Sequence, residues 1–202
     1  MNKRFIWNFE FETSHPLSQG IIEGEKEHIR WESRFFWPET SIIKLQGLNE
    51  RFLNISDYKI KQHSDTYILL ADHHYNIKWR RGTLLYKPLL EQKDHIYGFD
   101  KKIDLDESAK EVQAENERTK LLRLVQKEGR RLDVEKETLT CKLRFEPGIK
   151  LELARLSIKN HIYFSVCLSG RCFPLIQSLS KRLLNEQNSC DYVSFLKQMM
   201  DL

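Results

Sequence analysis

The strongest pattern in the chain is alternation of apolar and polar residues. From Phe5 to Thr13, Phe5, Trp7, Phe9 and Phe11 fall on one side and Ile6, Asn8, Glu10 and Glu12 on the other, which predicts one half-buried strand. His28 to Trp37 repeats the pattern, with Ile29, Trp31, Ser33, Phe35 and Trp37 opposite His28, Arg30, Glu32, Arg34 and Phe36. Tyr58 to His63 is a strand with Lys59, Lys61 and His63 on one face. Thr66 to Ala71 is a continuous apolar strand, Asp72-His73-His74 a turn, and Tyr75 to Arg80 a strand with Lys78 and Arg80 opposite Ile77 and Trp79. Arg81-Gly82 supplies a two-residue hairpin connection, since Gly takes the positive φ such turns need. The return strand, Thr83 to Leu90, carries Lys87, and Pro88 confines its end to an edge or terminus. Leu132 to Glu146, Lys150 to Ile158 and His161 to Leu168 form an antiparallel meander, joined at Pro147-Gly148 and Lys159-Asn160.

Helical spacing appears in three places. Ser108 and Glu111 fit a capping box that opens a helix running to Glu128 and ended by Gly129. Leu175, Ile176, Leu179 and Leu183 share a face of a second helix beginning near Pro174. Ser189 or Asp191 caps a third, whose Tyr192, Phe195, Leu196, Met199 and Met200 are a stripe for packing against a barrel wall. Residues 15–24 and 92–106 read as loops, and Ile42, Leu45, Leu48 and Phe52 as a short helical turn broken at Gly47. The whole is an α+β chain of about eight mostly antiparallel strands with a central helix and two C-terminal ones. It reads as a single domain over residues 1–202, with strands over about 5–168 and terminal helices over about 172–201. A charged sheet of that size tends to curl or close, because closure removes exposed edges.

Charge changes this picture only where it is placed. The net charge is +4, which permits a phosphorylated ligand without demanding one, and dedicated nucleic-acid binders carry a stronger, clustered basic patch. No run of about 18 apolar residues spans a membrane, and the opening segment alternates where a signal peptide needs an apolar run. The four cysteines (Cys141, Cys167, Cys172 and Cys190) have no zinc-ligand spacing and read as reduced core thiols of a cytoplasmic protein. No nucleophile elbow or phosphate-binding glycine loop is present.

Arg30, Glu32 and Arg34 lie in line on one strand face, about 7 Å apart. They fit either an exposed ion-pair ladder or the charged interior of a barrel. Lys78, Arg80 and Lys87 form a candidate anion-binding surface, or else a solvated sheet face. Asp72, His73 and His74 fit a turn better than a metal site, since neighbours on an extended chain point to opposite sides.

Three segments carry a family resemblance: RWESRFFW (Arg30 to Trp37), YILLADHHYNIKWRRGTLLYKPL (Tyr67 to Leu89) and LELARLSIKNHIYFSVCL (Leu151 to Leu168). In the order and character of these strands the chain resembles the CYTH superfamily, the triphosphate tunnel metalloenzymes. The resemblance implies an eight-stranded antiparallel barrel with a polar tunnel. It implies a small triphosphate or polyphosphate anion as ligand, and Mg²⁺ or Mn²⁺ as cofactor. The family's ExExK strand supplies two carboxylates for metal and a lysine for phosphate, whereas the matching positions here are Arg30, Glu32 and Arg34. The late acidic strand is replaced by SVCLSG. Glu32 and Glu152 are then the candidate metal ligands, enough for one ion and not for two. The candidate phosphate ligands are Arg30, Arg34, Lys59, Lys61, Lys78, Arg80, Lys87, Lys142 and Arg144, by fork-like or point-charge contacts. No catalytic residue is assigned. Metal-dependent phosphohydrolysis, a non-catalytic organic-phosphate or nucleotide-binding module, and a protein-interaction domain are the three functions compatible with this pattern.

Overall fold

The structure is a computed structural model that describes residues 2–13, 24–106, 117–185, 187 and 189–202. The Ser108–Glu111 capping box and nearly all of the loop expected over residues 15–24 lie outside them. Among the described residues, no helix is long and apolar enough to cross a membrane.

A small sheet comes first. The strand expected over Phe5–Thr13 is instead a hairpin of β1 (Asn2–Ile6) and β2 (Phe9–Glu12), because Trp7 adopts a positive φ of 50° and turns the chain. β2 pairs in parallel with β4 (Ile43–Gln46), which replaces the helical turn expected there; only Glu50–Leu53 coils, as a 3₁₀ turn.

The large sheet contains β3 (Arg30–Pro38), β5 (Lys59–Leu70), β6 (His73–Arg80), β7 (Thr83–Lys87), β8 (Leu89–Lys93), β9 (Ile96–Phe99), β10 (Ile103–Asp104), β11 (Arg130–Leu143), β12 (Ile149–Ile158) and β13 (His161–Gly170). Their order is β10-β7-β6-β5-β11-β12-β13-β3-β9-β8, antiparallel throughout. The meander and the Lys159-Asn160 turn are as expected, both turn residues having positive φ. Two expected strands merge into β5, because pairing with β11 runs unbroken from Lys59 to Leu69. The loop expected over 92–106 holds β9, whose four residues are all buried, and the short β10.

The eight-stranded closed barrel is thus a curled ten-stranded sheet whose edges do not share a hydrogen-bonded ladder. The chain itself joins them. β7 lies at one side of the sheet and β8 at the other, with Pro88 alone between them. The chain crosses the same seam again between β9 and β10, through Asp100–Lys102. The Asp100 amide donates to the Pro88 carbonyl at 3.0 Å and ties the two crossings together.

Apolar residues fill three regions. The convex face of β11, β12, β13 and β3 packs Leu151, Leu153, Val166 and Leu168 against the small sheet and α2 (Phe173–Leu184). Further round, Ile68, Leu70, Ile77 and Leu84 meet Val125 of α1 (Glu117–Glu128). Gly129 ends α1 through close approach, because a Cβ there would lie 2.4 Å from the Val125 carbonyl oxygen and 2.5 Å from Ile68. The third region is on the concave side. α3 (Tyr192–Gln198), capped by Asp191 through the Val193 and Ser194 amides, packs Tyr192, Phe195 and Leu196 onto Tyr67, Leu69, Val134, Ala154 and Leu156. Burying each large apolar side chain contributes about 1.5–3 kcal/mol, which holds a helix too short to stand alone.

Candidate anion-binding cavity

Pleating sends alternate residues of each strand to the concave face. There β5 presents Lys61, His63 and Tyr67, β6 presents Lys78 and Arg80, and β7 presents Lys87. Lys136, Thr138 and Thr140 come from β11, Lys150 and Glu152 from β12, Cys167 and Ser169 from β13, and Arg30, Glu32 and Arg34 from β3. Lys101 and Lys102 arrive with the seam crossing, and Tyr192 with α3. Together they surround a cavity of about 660 Å³ whose lining, among the described residues, includes eleven Lys and Arg and three Asp and Glu. The space is therefore strongly positive although the chain is nearly balanced.

Of the residues singled out from sequence, Arg30, Arg34, Lys61, Lys78, Arg80, Lys87, Glu32 and Glu152 are brought together here. Lys59, Lys142 and Arg144 are not; they line an adjoining cavity of about 880 Å³ that shares Arg30, Lys61, Thr140, Lys150 and Ser169 with the first. The turn expected over Asp72-His73-His74 falls at Ala71-Asp72, and His73 and His74 already belong to β6, with His74 Nε2 3.0 Å from the Asp191 carboxylate. All four cysteines are free thiols.

Five further residues join the site without having been expected there: Lys136 and Lys150, on the inward phase of their strands, Lys102, in an expected loop, and Asp65 and Tyr192. Alternation was the available signal for the first two. For Tyr192 the helical stripe pointed to packing, and the hydroxyl at the end of that stripe gave no signal of its own.

Each buried carboxylate is engaged by cations. Glu152 Oε1 accepts from Lys136 Nζ at 2.8 Å and Arg34 Nη1 at 3.2 Å, and its Oε2 from Lys150 Nζ at 2.9 Å. Burial alone would raise the Glu152 pKa, but Lys136, Arg34 and Lys150 hold it well below the usual range. Glu32 Oε1 lies 2.7 Å from Lys87 Nζ and 3.9 Å from Arg30 Nε. Burial opposes its ionisation too, and Lys87, Arg34 and Arg30 bring it down to about 2. Asp65 accepts from Lys78 at 2.7 Å and from both the Nε and Nη2 of Arg80, a fork that overcomes burial and puts it at about 2.

The cations respond differently. Burial pushes the Lys78 ammonium down to about 7; Asp65 opposes this, and Arg80 and Lys102 add to it. Burial likewise lowers Lys102, helped by Arg80 and Lys87. His63 falls to about 4 through burial and Arg80 and is neutral at neutral pH. In contrast, burial is outweighed at Lys136 by Glu152, which raises it.

Aromatic rings form the end filled by α3. Tyr192 stacks on Tyr67 at 5.3 Å, with Arg34 Cζ 4.6 Å and Lys136 Nζ 5.0 Å from its ring centre. Lys78 lies 5.0 Å from the Tyr67 ring centre and donates to its hydroxyl at 3.3 Å. The Tyr192 hydroxyl is fully buried and has no hydrogen-bond partner, alone in this among the side-chain polar atoms of the described residues. A buried polar group ordinarily finds a partner, and this one borders the basic cavity.

Mg²⁺ or Mn²⁺ would need carboxylate oxygens from this wall. Among the described residues, no group of three or more His, Cys, Asp or Glu is placed to hold a metal ion. Glu32 and Glu152 are already shared among Lys87, Arg30, Lys136, Arg34 and Lys150. This donor set does not fit a divalent cation.

The fold and site define an α+β protein whose curled antiparallel sheet encloses a basic cavity with an aromatic end. No protein-family model and no curated protein matches the chain. In structure it is similar to a candidate adenylate cyclase from Bacillus halodurans, with a TM-score of 0.41 and 11% sequence identity over 84% of this chain and 96% of that one.

Proposed function

We propose that the concave cavity binds a small anion of linked phosphates, a triphosphate or polyphosphate, in a divergent relative of the CYTH superfamily. The observation that carries this reading is the eleven-to-three excess of Lys and Arg over Asp and Glu among the described residues of one cavity. Three acids can neutralise only part of these cations, and the remainder need an outside counter-charge. Arg81 offers a planar fork to phosphate oxygens, and Lys61, Lys101 and Lys102 offer mobile point charges. Several cations spread over about 660 Å³ suit an extended multivalent anion better than a single carboxylate.

Binding without turnover is the form of this reading that the site supports best. Hydrolysis needs a group to activate water, and Glu32, Glu152 and Asp65 are tied to lysine and arginine. A thermal-shift panel tests the reading. At 100-fold excess over its dissociation constant, tripolyphosphate should stabilise the fold by about 2.7 kcal/mol, or about 5–10 °C for a chain of this size. Added salt should weaken the effect. Absence of any shift with tripolyphosphate, ATP or pyrophosphate at low salt would defeat the reading, and phosphate release from any of them would replace it with hydrolysis.

A further inference from the structure

We infer that the cavity takes its anion without a divalent cation, its carboxylates serving as internal counter-ions that hold lysine and arginine in place. The inference rests on the anion-binding reading and adds the means by which that anion is held. Strand register supplies the geometry. β13 runs between β12 and β3, so that Ser169 faces Lys150 on one side and Glu32 on the other, while Cys167 faces Glu152 and Arg34. Charges therefore alternate as on a checkerboard, with Glu32 and Glu152 at one pair of opposite corners and Lys150 and Arg34 at the other. A divalent ion shared by the two glutamates would have to enter between Lys150 and Arg34, which hold the other two corners. It would be repelled by the groups that already neutralise its ligands.

The tasks a metal performs on a phosphate chain are covered by fixed groups. Lys87 and Arg30, two cations held at the single carboxylate Glu32, leave a net positive charge beside β3 for a phosphate. At the α3 end, the Tyr192 ring lies beside Arg34 and Lys136 at the border of the cavity, and its unpartnered hydroxyl is a donor for a terminal phosphoryl oxygen. Magnesium, which forms complexes with tripolyphosphate in solution, then competes for the ligand instead of assisting its binding.

Isothermal titration of the full chain with tripolyphosphate, in EDTA and in excess MgCl₂ at matched ionic strength, tests this. Binding is expected in EDTA, and weaker by about fivefold with Mg²⁺, the effect of losing one unit-charge contact. Glu32→Gln should bind in EDTA at least as tightly as the parent chain. Binding that requires Mg²⁺, or that Glu32→Gln abolishes only in its presence, overturns the inference and leaves the anion reading standing. No binding in either buffer overturns both. Mn²⁺ electron paramagnetic resonance on the unsubstituted chain gives a check independent of any variant's folding: an undiminished free-ion spectrum is expected, and a bound-ion spectrum refutes the inference.

Discussion

Glu152 is the counter-ion on which three cations converge, and replacing it with glutamine separates its charge from its shape. Glutamine keeps one oxygen for Lys136 and Arg34 but turns the second acceptor, facing Lys150, into an amide donor. Arg34 and Lys136 are 8% and 9% exposed and would be left charged against each other; Lys150, at 40%, can turn to solvent. Removing one partner of a buried ion pair costs about 3–5 kcal/mol, and the Lys150 pair adds less than about 1 kcal/mol because solvent screens it. For a chain of this size the melting temperature should fall by roughly 6–20 °C. A bound polyanion restores the missing negative charge. Glu152→Gln should therefore be stabilised by tripolyphosphate more than the parent chain is, narrowing the gap between them. Scanning calorimetry of both proteins, with and without tripolyphosphate, measures the two effects. A variant that melts within about 2 °C of the parent and gains no more from the ligand would refute the counter-ion role of Glu152.

Further outcomes follow from the same cavity. Lys78 titrates near 7 in the fold against 10.5 when free, so the unfolded chain holds more protons between those values and stability should rise with pH across that window. Polyanion binding at pH 8 should return up to about one proton to Lys78, read by calorimetry in buffers of different ionisation enthalpy, and Lys78→Met should abolish the uptake. Glu32 and Asp65 have the opposite sign: both sit near 2 in the fold, so their stabilisation is complete above their unfolded values of 4.5 and 3.8 and is lost as pH falls toward 2. An acid-unfolding curve as steep for Asp65→Asn as for the parent would contradict this. Tyr192→Phe keeps the stacking and should leave the melting temperature unchanged or slightly higher, while tripolyphosphate affinity falls by about tenfold, the effect of one hydrogen bond to a charged group; unchanged affinity would remove the hydroxyl from the site. Gly129→Ala should destabilise by about 1–3 kcal/mol in urea unfolding, since its methyl group meets the Val125 carbonyl oxygen.

What alternation could reveal, it revealed. Arg30, Glu32 and Arg34 share a cavity wall with Lys61, Lys78 and Arg80 because the pleat enforces a period of two. Features set by distant residues were hidden. Asp65 looks like an interruption between two strands; the ladder to β11 makes it a mid-strand residue, and Lys78 and Arg80, thirteen and fifteen residues on, neutralise its carboxylate. β9 leaves no periodic signal, because a fully buried strand of four residues shows no alternation and lies in a polar stretch. Pro88 by itself predicts the end of one strand, since nothing local tells a terminus from a crossing between sheet edges. The pairing of Glu152 with Lys136 and Lys150 depends on register, which fixes which inward residues stand opposite one another.

The double crossing at the seam bears on kinetics. One residue separates Lys87 from Leu89, so their Cα atoms cannot lie more than about 7 Å apart. The two sides of the sheet cannot spread at that point without breaking a strand. The enclosure is thus held by covalent chain and exists before any ligand arrives. A preorganised site spends little binding free energy on ordering its own walls. Association should then proceed in a single step at a rate set by electrostatic attraction, with salt acting mainly on the on-rate.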